Sequence, residues 1–483
     1  MNPEMVPEER LSALKQRYSA VGQEHIFGGI ESLSEEKLSD FIKTLEDLEI
    51  ETITENFKKA IESESLIDTS QALEPLDDSE YASQSKGDPK KTLEWYNEGL
   101  SRIAASEVAA IVMAGGQGTR LGSSLPKGCY KVGTPSDKSL FAIQADRILG
   151  LESLAAKHAN IDRSKVRIFW LVMVSEATRS NTVDYFEQMN YFGLQKDQVM
   201  FFDQGSVPSF TFDGKLIMRG VGEITVSPDG NGGIYKGLIT SDAYKVLKQN
   251  NVKYFHVYSV DNILVRVADP WFIGYSVFKR AEYGALVLSK QSWDEKVGVI
   301  CKANGKYKVV EYSELSEKLA QLTRADGSLY YNAANICIQF FTMDFLDKTN
   351  EFNSKLPFHI AKKKINYFDY DSGQIVVPTK PNGIKLERFI FDVFPFCSKV
   401  SILDVDRSEA FSPLKNAPGA GSDCPETCRN DLMSLHIKFA ENAGATVQGD
   451  ARLNFEISHK ISYFGEGLEA LKGRIFLEKT ILE

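Results

Sequence analysis

The chain has few cysteines and no long apolar run. Only six of its 483 residues are cysteines, and Cys424 and Cys428, in CPETC, have no second pair to complete a zinc site. Such sparse use of cysteine is typical of a reducing compartment, so we expect a cytoplasmic protein with unpaired thiols. The apolar run Ile168–Val174 has seven residues. A membrane span needs about 20, so we expect no membrane association.

Positive charge is also in short supply. Lysine and arginine number 56 against 66 aspartates and glutamates, which gives a net charge of −10. A broad nucleic-acid-binding face needs an excess of basic residues, so we expect no nucleic acid partner. The N-terminal MNPEMVPEER has acids and prolines where a signal peptide needs an apolar core. A small anionic ligand fits this balance only if its site is a local basic pocket.

The composition is otherwise that of a globular protein, 43% hydrophobic and 25% charged, with length for several domains. Residues 1–105 are predicted to form an N-terminal helical domain, because Arg10–Phe27 and Glu35–Ser63 repeat apolar residues every three or four positions. A loop at Asp77–Pro89 precedes a further predicted helix through Trp95.

Residues 106–405 alternate short apolar runs with helical patterns. Continuous apolar runs are typical of strands buried on both faces, and their alternation with helices indicates an α/β fold. We predict a central Rossmann-like domain with a mixed, mostly parallel sheet flanked by helices. Its predicted strands are Val108–Met113, Ile168–Val174, Val199–Phe202, Tyr254–Val260 and Ala285–Leu288.

Residues 406–483 are predicted to form a small C-terminal α+β domain. The loop SPLKNAPGAGSDCPET leads into a predicted helix over Asn430–Asn442. Short strand-like pieces follow, such as ISYFGEG at Ile461–Gly467.

The stretch AAIVMAGGQGTRLGSSLPKGCYKVG, residues 109–133, carries the clearest chemical signal. It joins the predicted strand Val108–Met113 to a predicted helix over Leu140–Leu149. That places it at the carboxyl end of a strand, where α/β proteins bind ligands. Its glycines do not fit a P-loop, because Gly118 is followed by threonine, nor a dinucleotide fingerprint, because G-x-G-x3-G is one residue too long.

The residues of this stretch suit a phosphate. Arg120 offers a planar fork, and Lys127, fixed in position by Pro126, offers a compact charge. Thr119 adds a hydroxyl donor. Three glycines can take positive φ and let backbone amides approach a ligand closely: Gly115, Gly116 and Gly118. The pattern predicts a phosphate-binding loop of another type.

GGQGTRLG followed by LPK resembles the G-x-G-T-R and P-K signature of the sugar-1-phosphate nucleotidyltransferases. The stretches SPDGNGG, YSVDN, VVEYSE, PNGIKLE and FSPLKN resemble the eukaryotic UDP-N-acetylglucosamine pyrophosphorylases. The resemblance runs from Glu107 past Asn416 and more weakly to the C-terminus. It implies a GT-A-like nucleotidyltransferase fold for the central domain.

The resemblance also implies a reaction. UTP and N-acetylglucosamine 1-phosphate would give UDP-N-acetylglucosamine, a precursor for chitin or cell wall, N-glycans and GPI anchors, and pyrophosphate. The sugar phosphate would attack the α-phosphorus of UTP in line, without a covalent intermediate, so catalysis would be alignment and charge stabilisation. We expect a Mg²⁺-dependent monomer whose partners are these four small molecules.

Phosphate and metal ligands follow from the same resemblance. Arg120 would face the leaving phosphates and Lys127 would bridge the phosphates at the reacting centre. Lys385 and Lys415 are further candidates for the phosphate pocket. Asp261, at the end of a predicted strand, is the expected Mg²⁺ ligand, although an Asx turn with its neighbour is an alternative. A second ligand, Asp392, has weaker support.

Uracil and sugar contacts are assigned by resemblance as well. Gln204, whose amide carries both a donor and an acceptor, would read the uracil edge together with Gly230 and the backbone of Ala114 and Gly115. Asn231 would contact the sugar.

The amino sugar would also be contacted by Gly298, Glu311 and Asn335, of which Glu311 can accept from hydroxyls. Ala334 stands where the family commonly has glycine before this asparagine, so its methyl group is expected to narrow the sugar pocket slightly.

Three other functions remain open on the sequence. One is a uridylyltransferase for glucose or for a broader range of sugars. Another is an NAD(P)-binding oxidoreductase, in which Asp137 or Asp146 would hold a ribose. The third is a nucleotide-sugar-binding regulatory protein that lacks catalysis.

Overall fold

The helices and strands begin and end near the changes of sequence pattern. The computed structural model describes residues 7–65, 73–77 and 79–483. Over these residues the α-helices are α1 (Pro7–Ala20), α2 (Glu35–Asp47), α3 (Ile50–Ser65), α4 (Pro89–Ala104), α5 (Leu140–Ala159), α6 (Glu176–Gln188), α7 (Ile234–Thr240), α8 (Asp242–Gln249), α9 (Pro270–Phe278), α10 (Glu317–Ala320), α11 (Met343–Lys348), α12 (Arg407–Ala410) and α13 (Pro425–Asn442).

The strands are β1 (Leu73–Glu74), β2 (Ala82–Ser83), β3 (Val108–Met113), β4 (Phe169–Val174), β5 (Val199–Asp203), β6 (Ser206–Pro208), β7 (Phe210–Thr211), β8 (Met218–Gly220), β9 (Glu223–Ile224), β10 (Val226–Pro228), β11 (Tyr254–Ser259), β12 (Tyr283–Ser289), β13 (Val299–Ala303), β14 (Lys306–Val310), β15 (Ala333–Thr342), β16 (His359–Lys363), β17 (Tyr367–Asp369), β18 (Gln374–Val376), β19 (Gly383–Glu387), β20 (Val400–Asp404), β21 (Thr446–Val447), β22 (Phe455–Ile457), β23 (Ile475–Phe476) and β24 (Thr480–Leu482).

Eleven of these strands form one large sheet, in which eight follow the order β2-β20-β12-β15-β11-β3-β4-β5. Strands β11, β3, β4 and β5 run parallel, as do β12, β20 and β2, whereas β15 is antiparallel to β11 and β12. The predicted mixed, mostly parallel sheet is confirmed. Strand β15 is absent from the sequence prediction, because Asn335 and Gln339 interrupt its apolar residues.

All five predicted strands are present, with ends that shift by at most two residues. The predicted helix at Leu140 continues to Ala159, where Asn160 ends it in a left-handed conformation, φ +53°. The single helical pattern Glu35–Ser63 is divided into two helices, because Leu48 takes an extended conformation between them.

The chain divides into two compact units, each made of separate segments. The first unit takes in the described residues of Met1–Asp68 with Gln204–Ile234 and Lys355–Asp392. Its core contains Leu14, Tyr18, Phe41, Phe57, Phe210, Ile384 and Leu386. The second unit takes in the described residues of Thr69–Asp203 with Tyr235–Ser354 and Val393–Glu483, and contains the large sheet. The three-part division at residues 105 and 405 stays a prediction.

The predicted C-terminal helix is confirmed as α13, which begins five residues earlier than expected, at Pro425. The strand prediction for ISYFGEG is wrong. Glu466 accepts hydrogen bonds from the backbone N–H groups of Tyr463 and Phe464, and Gly465 has φ +94°, so the segment is a turn. The C-terminal residues nevertheless share one apolar cluster with the motif region: Leu121, Val132, Leu140, Leu432, Phe439, Phe455 and Phe476.

All six cysteines are unpaired, as predicted, and Cys424 and Cys428 are buried. Within the described ranges, no group of three or more His, Cys, Asp or Glu side chains is arranged to hold a metal. None of the helices in those ranges has the length and apolar character to span a bilayer.

Helices α4 and α9 touch backbone to backbone. A Cβ added to Gly274 would lie 1.8 Å from the Trp95 carbonyl oxygen, and one added to Gly99 would lie 1.9 Å from the Pro270 oxygen. Two glycines therefore set how closely α4 and α9 pack in the second unit.

We expect Gly274→Ala to lower the free energy of unfolding by about 2 kcal/mol, because the methyl group forces the helices apart despite the better helix propensity of alanine. Lys91→Ala, at an exposed position of α4, is the control and should change stability by less than about 0.5 kcal/mol. Denaturant unfolding of both variants measures the difference. Equal stability of the two variants would contradict the close contact.

Candidate active site

The glycine-rich loop folds back on itself as a small hairpin. The Lys127 N–H donates to the Gly116 carbonyl at 3.3 Å, and the Gly118 N–H donates to the Leu125 carbonyl at 3.2 Å. The Gly118 amide is thus used within the loop. Because the two arms are paired, the point where Lys127 leaves the hairpin is fixed relative to the end of β3.

The glycines of this loop differ in what they contribute. Gly118 has φ −81°, so its missing side chain matters for space and not for a left-handed conformation. A Cβ there would lie 2.8 Å from the Leu125 oxygen, whereas a Cβ on Gly116 would meet nothing within 4 Å. Positive φ occurs instead at Gly122, +71°, which ends the short turn Thr119–Leu121.

The start of the loop continues the pairing of β3 with β4. The Ala114 N–H donates to Met173 O at 2.9 Å, and the Ser175 hydroxyl donates to the Gly115 carbonyl at 2.8 Å. Ser175 escaped the sequence prediction, although a serine directly after a buried strand is a signal that could have found it. These bonds fix the backbone of Ala114 and Gly115.

Arg120 lies in the turn Thr119–Leu121, between an exposed threonine and a buried leucine. Leu121 packs into the apolar cluster shared with the C-terminal residues, which holds the turn in place. The Arg120 side chain is exposed, and it forms no ion pair with the residues that the structure describes. A cation held on an anchored turn is suited to an incoming anion.

Lys127 and Asp261 meet at the carboxyl edge of the sheet. Strands β3 and β11 are parallel neighbours, with Met113 opposite Ser259, so the residues that follow both strands leave the sheet at the same edge. Lys127 Nζ lies 3.3 Å from Asp261 Oδ2, and each side chain is about one-fifth exposed, 20% and 19%. The structure thus joins the predicted phosphate ligand to the predicted metal ligand.

Lys415 reaches the same place through a chain segment that returns from far along the sequence. The Leu414 N–H donates to Asp261 O at 2.9 Å, and the Lys415 N–H donates to Asp423 O at 2.7 Å. The side chain that caps this turn is Asn262, whose Oδ1 accepts from Leu264 N–H and Ser412 N–H. The Asx-turn role considered for Asp261 therefore belongs to Asn262.

Two buried side chains of α5 donate hydrogen bonds to the segment around Asp261. Gln144 Nε2 donates to Val260 O at 3.1 Å, and Arg147 Nη1 donates to Ile263 O at 2.7 Å. Burial lowers the pKa of Arg147 to about 10. Neither residue was predicted, because both bonds join residues 116 positions apart and leave no local pattern.

The three residues assigned to the amino sugar are neighbours. The Asn335 N–H donates to the Gly298 carbonyl at 2.9 Å, and a Cβ on Gly298 would lie only 2.8 Å from Glu311 Oε1. Strands β13, β14 and β15 bring them together, since Val299 pairs with both Val310 and Ala334. The predicted grouping is present; the sugar itself stays a prediction.

Cys337 connects this group to the charged residues. Its pKa is raised to about 12, chiefly by burial and further by the charges of Glu311 and Asp261, while Lys415 lowers it. The strands also bring the two groups close together. Val257 of β11 pairs with Gln339 of β15, so the residues that follow β11, including Asp261, lie near the start of β15, where Asn335 is located.

The expectation that Ala334 narrows the sugar pocket does not fit its orientation. Ala334 is fully buried in the apolar cluster that contains Leu288, Ile336 and Ile338. Successive strand residues point to opposite faces of a sheet, so the Ala334 methyl group faces the core while Asn335 faces away from it.

Four predicted residues belong to the first unit, where two are brought together. Gln204 Nε2 donates to the Gly230 carbonyl at 3.3 Å. Asn231 Oδ1 accepts from the Ile390 N–H at 2.9 Å, which leaves its NH₂ group as the donor. Lys385 lies on β19 between two core residues, so its side chain is on the face opposite the core. Their roles towards a substrate stay predictions.

Asp392, the weaker metal candidate, already has partners. Its carboxylate lies 3.1 Å from His359 Nε2 and accepts a hydrogen bond from the Phe389 N–H at 2.8 Å. These contacts give Asp392 a role in the fold of the first unit.

The acids that an NAD(P)-binding site would use are paired with lysines. Asp137 lies 2.7 Å from Lys131, and Asp146 lies 2.9 Å from Lys138. Both carboxylates are thus already paired, which argues against the oxidoreductase alternative.

A hairpin that carries cations at the carboxyl edge of a mostly parallel sheet is characteristic of an α/β nucleotidyltransferase. Comparison with known proteins agrees. The family model described as UTP–glucose-1-phosphate uridylyltransferase matches residues 50–455. The chain belongs to this family.

Named relatives are similar over nearly the whole chain. The human UDP-N-acetylhexosamine pyrophosphorylase-like protein 1 is 41% identical over 99% of this chain and 98% of its own length. The UDP-N-acetylglucosamine pyrophosphorylase of Saccharomyces cerevisiae is 40% identical, over 96% and 97%. The solved structure of a uridine diphosphate N-acetylglucosamine pyrophosphorylase from Trypanosoma brucei, with an inhibitor, has a TM-score of 0.82, 28% identity and 99% coverage of both chains.

We expect Gly118→Ala to weaken UTP binding about tenfold and to lower the melting temperature, because its methyl group would push Leu125 away and open the hairpin. Gly116→Ala is the matched control for stability, since its Cβ meets no protein atom within 4 Å, and should keep the melting temperature of the unchanged protein. Calorimetric titration with UTP and thermal unfolding measure both effects. Normal affinity and stability of Gly118→Ala would show that the hairpin is not closed as described.

Proposed function

We propose that this protein joins UTP and N-acetylglucosamine 1-phosphate to give UDP-N-acetylglucosamine and pyrophosphate. The observation that carries the proposal is that Lys127 and the segment before Lys415 both contact Asp261, which follows β11. Strand β11 pairs with β15, the strand that carries Asn335 of the Gly298, Glu311 and Asn335 group. Phosphate ligands and a polar group suited to a sugar are thereby adjacent in the second unit. The names of the relatives at about 40% identity support the same reaction.

The chemistry needs alignment more than it needs a base. An oxygen of the sugar phosphate attacks the α-phosphorus of UTP, a P–O bond forms, and pyrophosphate leaves with the electron pair of the bond that breaks. The nucleophile is already an anion, so the obstacle is repulsion between phosphates. Arg120, Lys127 and Lys415 reduce that repulsion, and the paired hairpin holds Lys127 in place before substrate arrives.

A magnesium ion fits the donor set. Mg²⁺ is commonly held by one or two carboxylates, with phosphate oxygens and waters in the other positions, so the single, mostly buried carboxylate of Asp261 suffices. Asp261 would hold it, with Lys127 as the residue that balances the charge of Asp261 when no metal is bound. The bound ion would supply charge neutralisation at the phosphates.

The cellular setting is also a proposal. Six unpaired thiols support a reducing compartment, so we propose that the protein acts in the cytoplasm. We propose a monomer, and small-molecule substrates as its partners. Its product would then be available as a precursor for chitin or cell wall, N-glycans and GPI anchors.

The family description names glucose 1-phosphate, so a glucose-specific enzyme is the alternative that needs testing. We expect the purified protein with UTP to show its highest kcat/KM with N-acetylglucosamine 1-phosphate, and lower values with the N-acetylgalactosamine and glucose compounds. Release of pyrophosphate measures all three. A preference for glucose 1-phosphate would refute the proposed substrate, and no release with any sugar would favour a regulatory binding protein.

We expect Arg120→Ala and Lys127→Ala to lower kcat by about 10²–10³, the cost of removing one preorganised donor at a centre of developing charge. Thermal unfolding should change little, since both residues lie on a loop. Lys131→Ala removes an exposed lysine from the ion pair with Asp137 and should keep full activity. If the two loop variants lose stability but retain turnover in the folded fraction, their proposed roles are wrong.

A further inference from the structure

An irregularity in β15 brings two side chains together that a regular strand would separate. In the pairing with β12, Ala285 is opposite Gln339 and Val287 is opposite Asn335. One residue of β12 thus faces three of β15. Cys337, the middle one, has φ +55°. Residues four apart along a regular strand are about 13 Å apart, yet Gln339 Nε2 lies 3.1 Å from Asn335 Oδ1. The bulge therefore creates the contact.

The backbone determines which way round the Asn335 amide lies. The Cys337 N–H, which can only donate, is 3.3 Å from the Asn335 atom that Gln339 also contacts. That atom must therefore be the oxygen, and Gln339 must present its NH₂ group to it. The Asn335 nitrogen then points elsewhere, and no residue in the described part of the chain accepts a hydrogen bond from it. The Asn335 side chain is therefore fixed with its NH₂ group available as a hydrogen-bond donor.

Gln339 is a costly residue for a central strand. It is fully buried between β11 and β12. Its side-chain oxygen has no hydrogen-bond partner among the described residues. A buried carbonyl without a partner destabilises a fold. An apolar side chain of the same length would remove this oxygen, so the contact that accounts for the glutamine is its hydrogen bond to Asn335.

We infer that Gln339 is a positioning residue for sugar selectivity. Together with the Cys337 N–H it fixes the Asn335 amide so that its NH₂ group is offered to the sugar. That NH₂ group can only donate, so it favours a sugar that offers a strong hydrogen-bond acceptor there, such as the carbonyl oxygen of an acetamido group. A sugar with a hydroxyl at that position gains less, because water can take the place of the hydroxyl. The inference rests on the proposed function, because it takes Asn335 as a sugar contact.

The test compares two nucleotide sugars in the absence of turnover. Isothermal titration of the full-length protein with UDP-N-acetylglucosamine and with UDP-glucose gives a ratio of dissociation constants. We expect Gln339→Met, which keeps the length but loses the donor, to weaken the first ligand about 3–10-fold and to leave the second within about twofold. The ratio of kcat/KM for the two sugar phosphates should fall equally, with the KM for UTP unchanged.

Thermal stability is a second readout. It should not fall in Gln339→Met, although the binding of UDP-N-acetylglucosamine weakens. Gln339→Met removes the unpartnered oxygen, so its melting temperature should equal or exceed that of the unchanged protein. Gln198→Leu is the matched control, because Gln198 is also buried but donates to Glu152 and to the Ile168 carbonyl. That variant should lose stability and keep the ratio of dissociation constants.

Several outcomes would overturn the inference. An unchanged ratio in Gln339→Met, or an equal loss with both ligands, would show that Gln339 has a structural role only. If Gln339→Met fails to fold, the expected gain in stability is refuted, and Gln339→Asn, which keeps an amide but shortens its reach towards Asn335 by one methylene, tests the ratio.

Failure of the proposed function looks different. In that case the unchanged protein would bind neither nucleotide sugar, or would release no pyrophosphate. An unchanged protein that binds UDP-glucose as tightly as UDP-N-acetylglucosamine overturns the selectivity inference, whatever its catalytic activity.

Discussion

The parallel pairing of β3 with β11 is the constraint on which the site depends. Because the two strands run side by side in the same direction, the chain leaves both at one edge of the sheet, Met113 opposite Ser259. The hairpin that carries Lys127 and the turn that carries Asp261 must therefore lie together. Neither side chain could be moved without changing the register of two largely buried strands. The ion pair of 3.3 Å between them is a consequence of the sheet.

Lys415 is brought to this edge of the sheet by long-range hydrogen bonds. The segment that precedes Lys415 is attached to the residues after β11 by Asn262, whose buried side chain donates to Ala410 O and accepts from Ser412 N–H. A buried amide that satisfies both its donor and its acceptor ends holds two distant segments in one arrangement. A protein with a net charge of −10 can in this way concentrate positive charge locally. The acidic remainder of the surface keeps that attraction confined to one place.

Sequence analysis predicted the elements that a local pattern of residues determines. Continuous apolar runs identified β3, β4 and β11 almost to the residue, since strands buried on both faces are mostly apolar. Local reasoning failed at ISYFGEG, where aromatic and β-branched residues suggested a strand but Glu466 caps a turn. It also missed Gln144 and Ser175, whose partners are distant in sequence.

Resemblance, and not pattern, grouped Gly298, Glu311 and Asn335, because three separate strands are needed to bring them together. Hydrogen bonds across such distances follow from the complete fold and cannot be read from a window of sequence.

Strand β15 combines a regular apolar face with an irregular polar one. Its residues Ala334, Ile336, Ile338 and Phe340 all belong to the apolar cluster, so one face obeys the alternation of an ordinary strand. On the other face the bulge at Cys337 shortens the distance between two amides and turns them towards each other. The methyl group of Ala334 lies on the core face among apolar side chains. The two amides lie on the other face, where the Cys337 N–H and Gln339 both donate to Asn335.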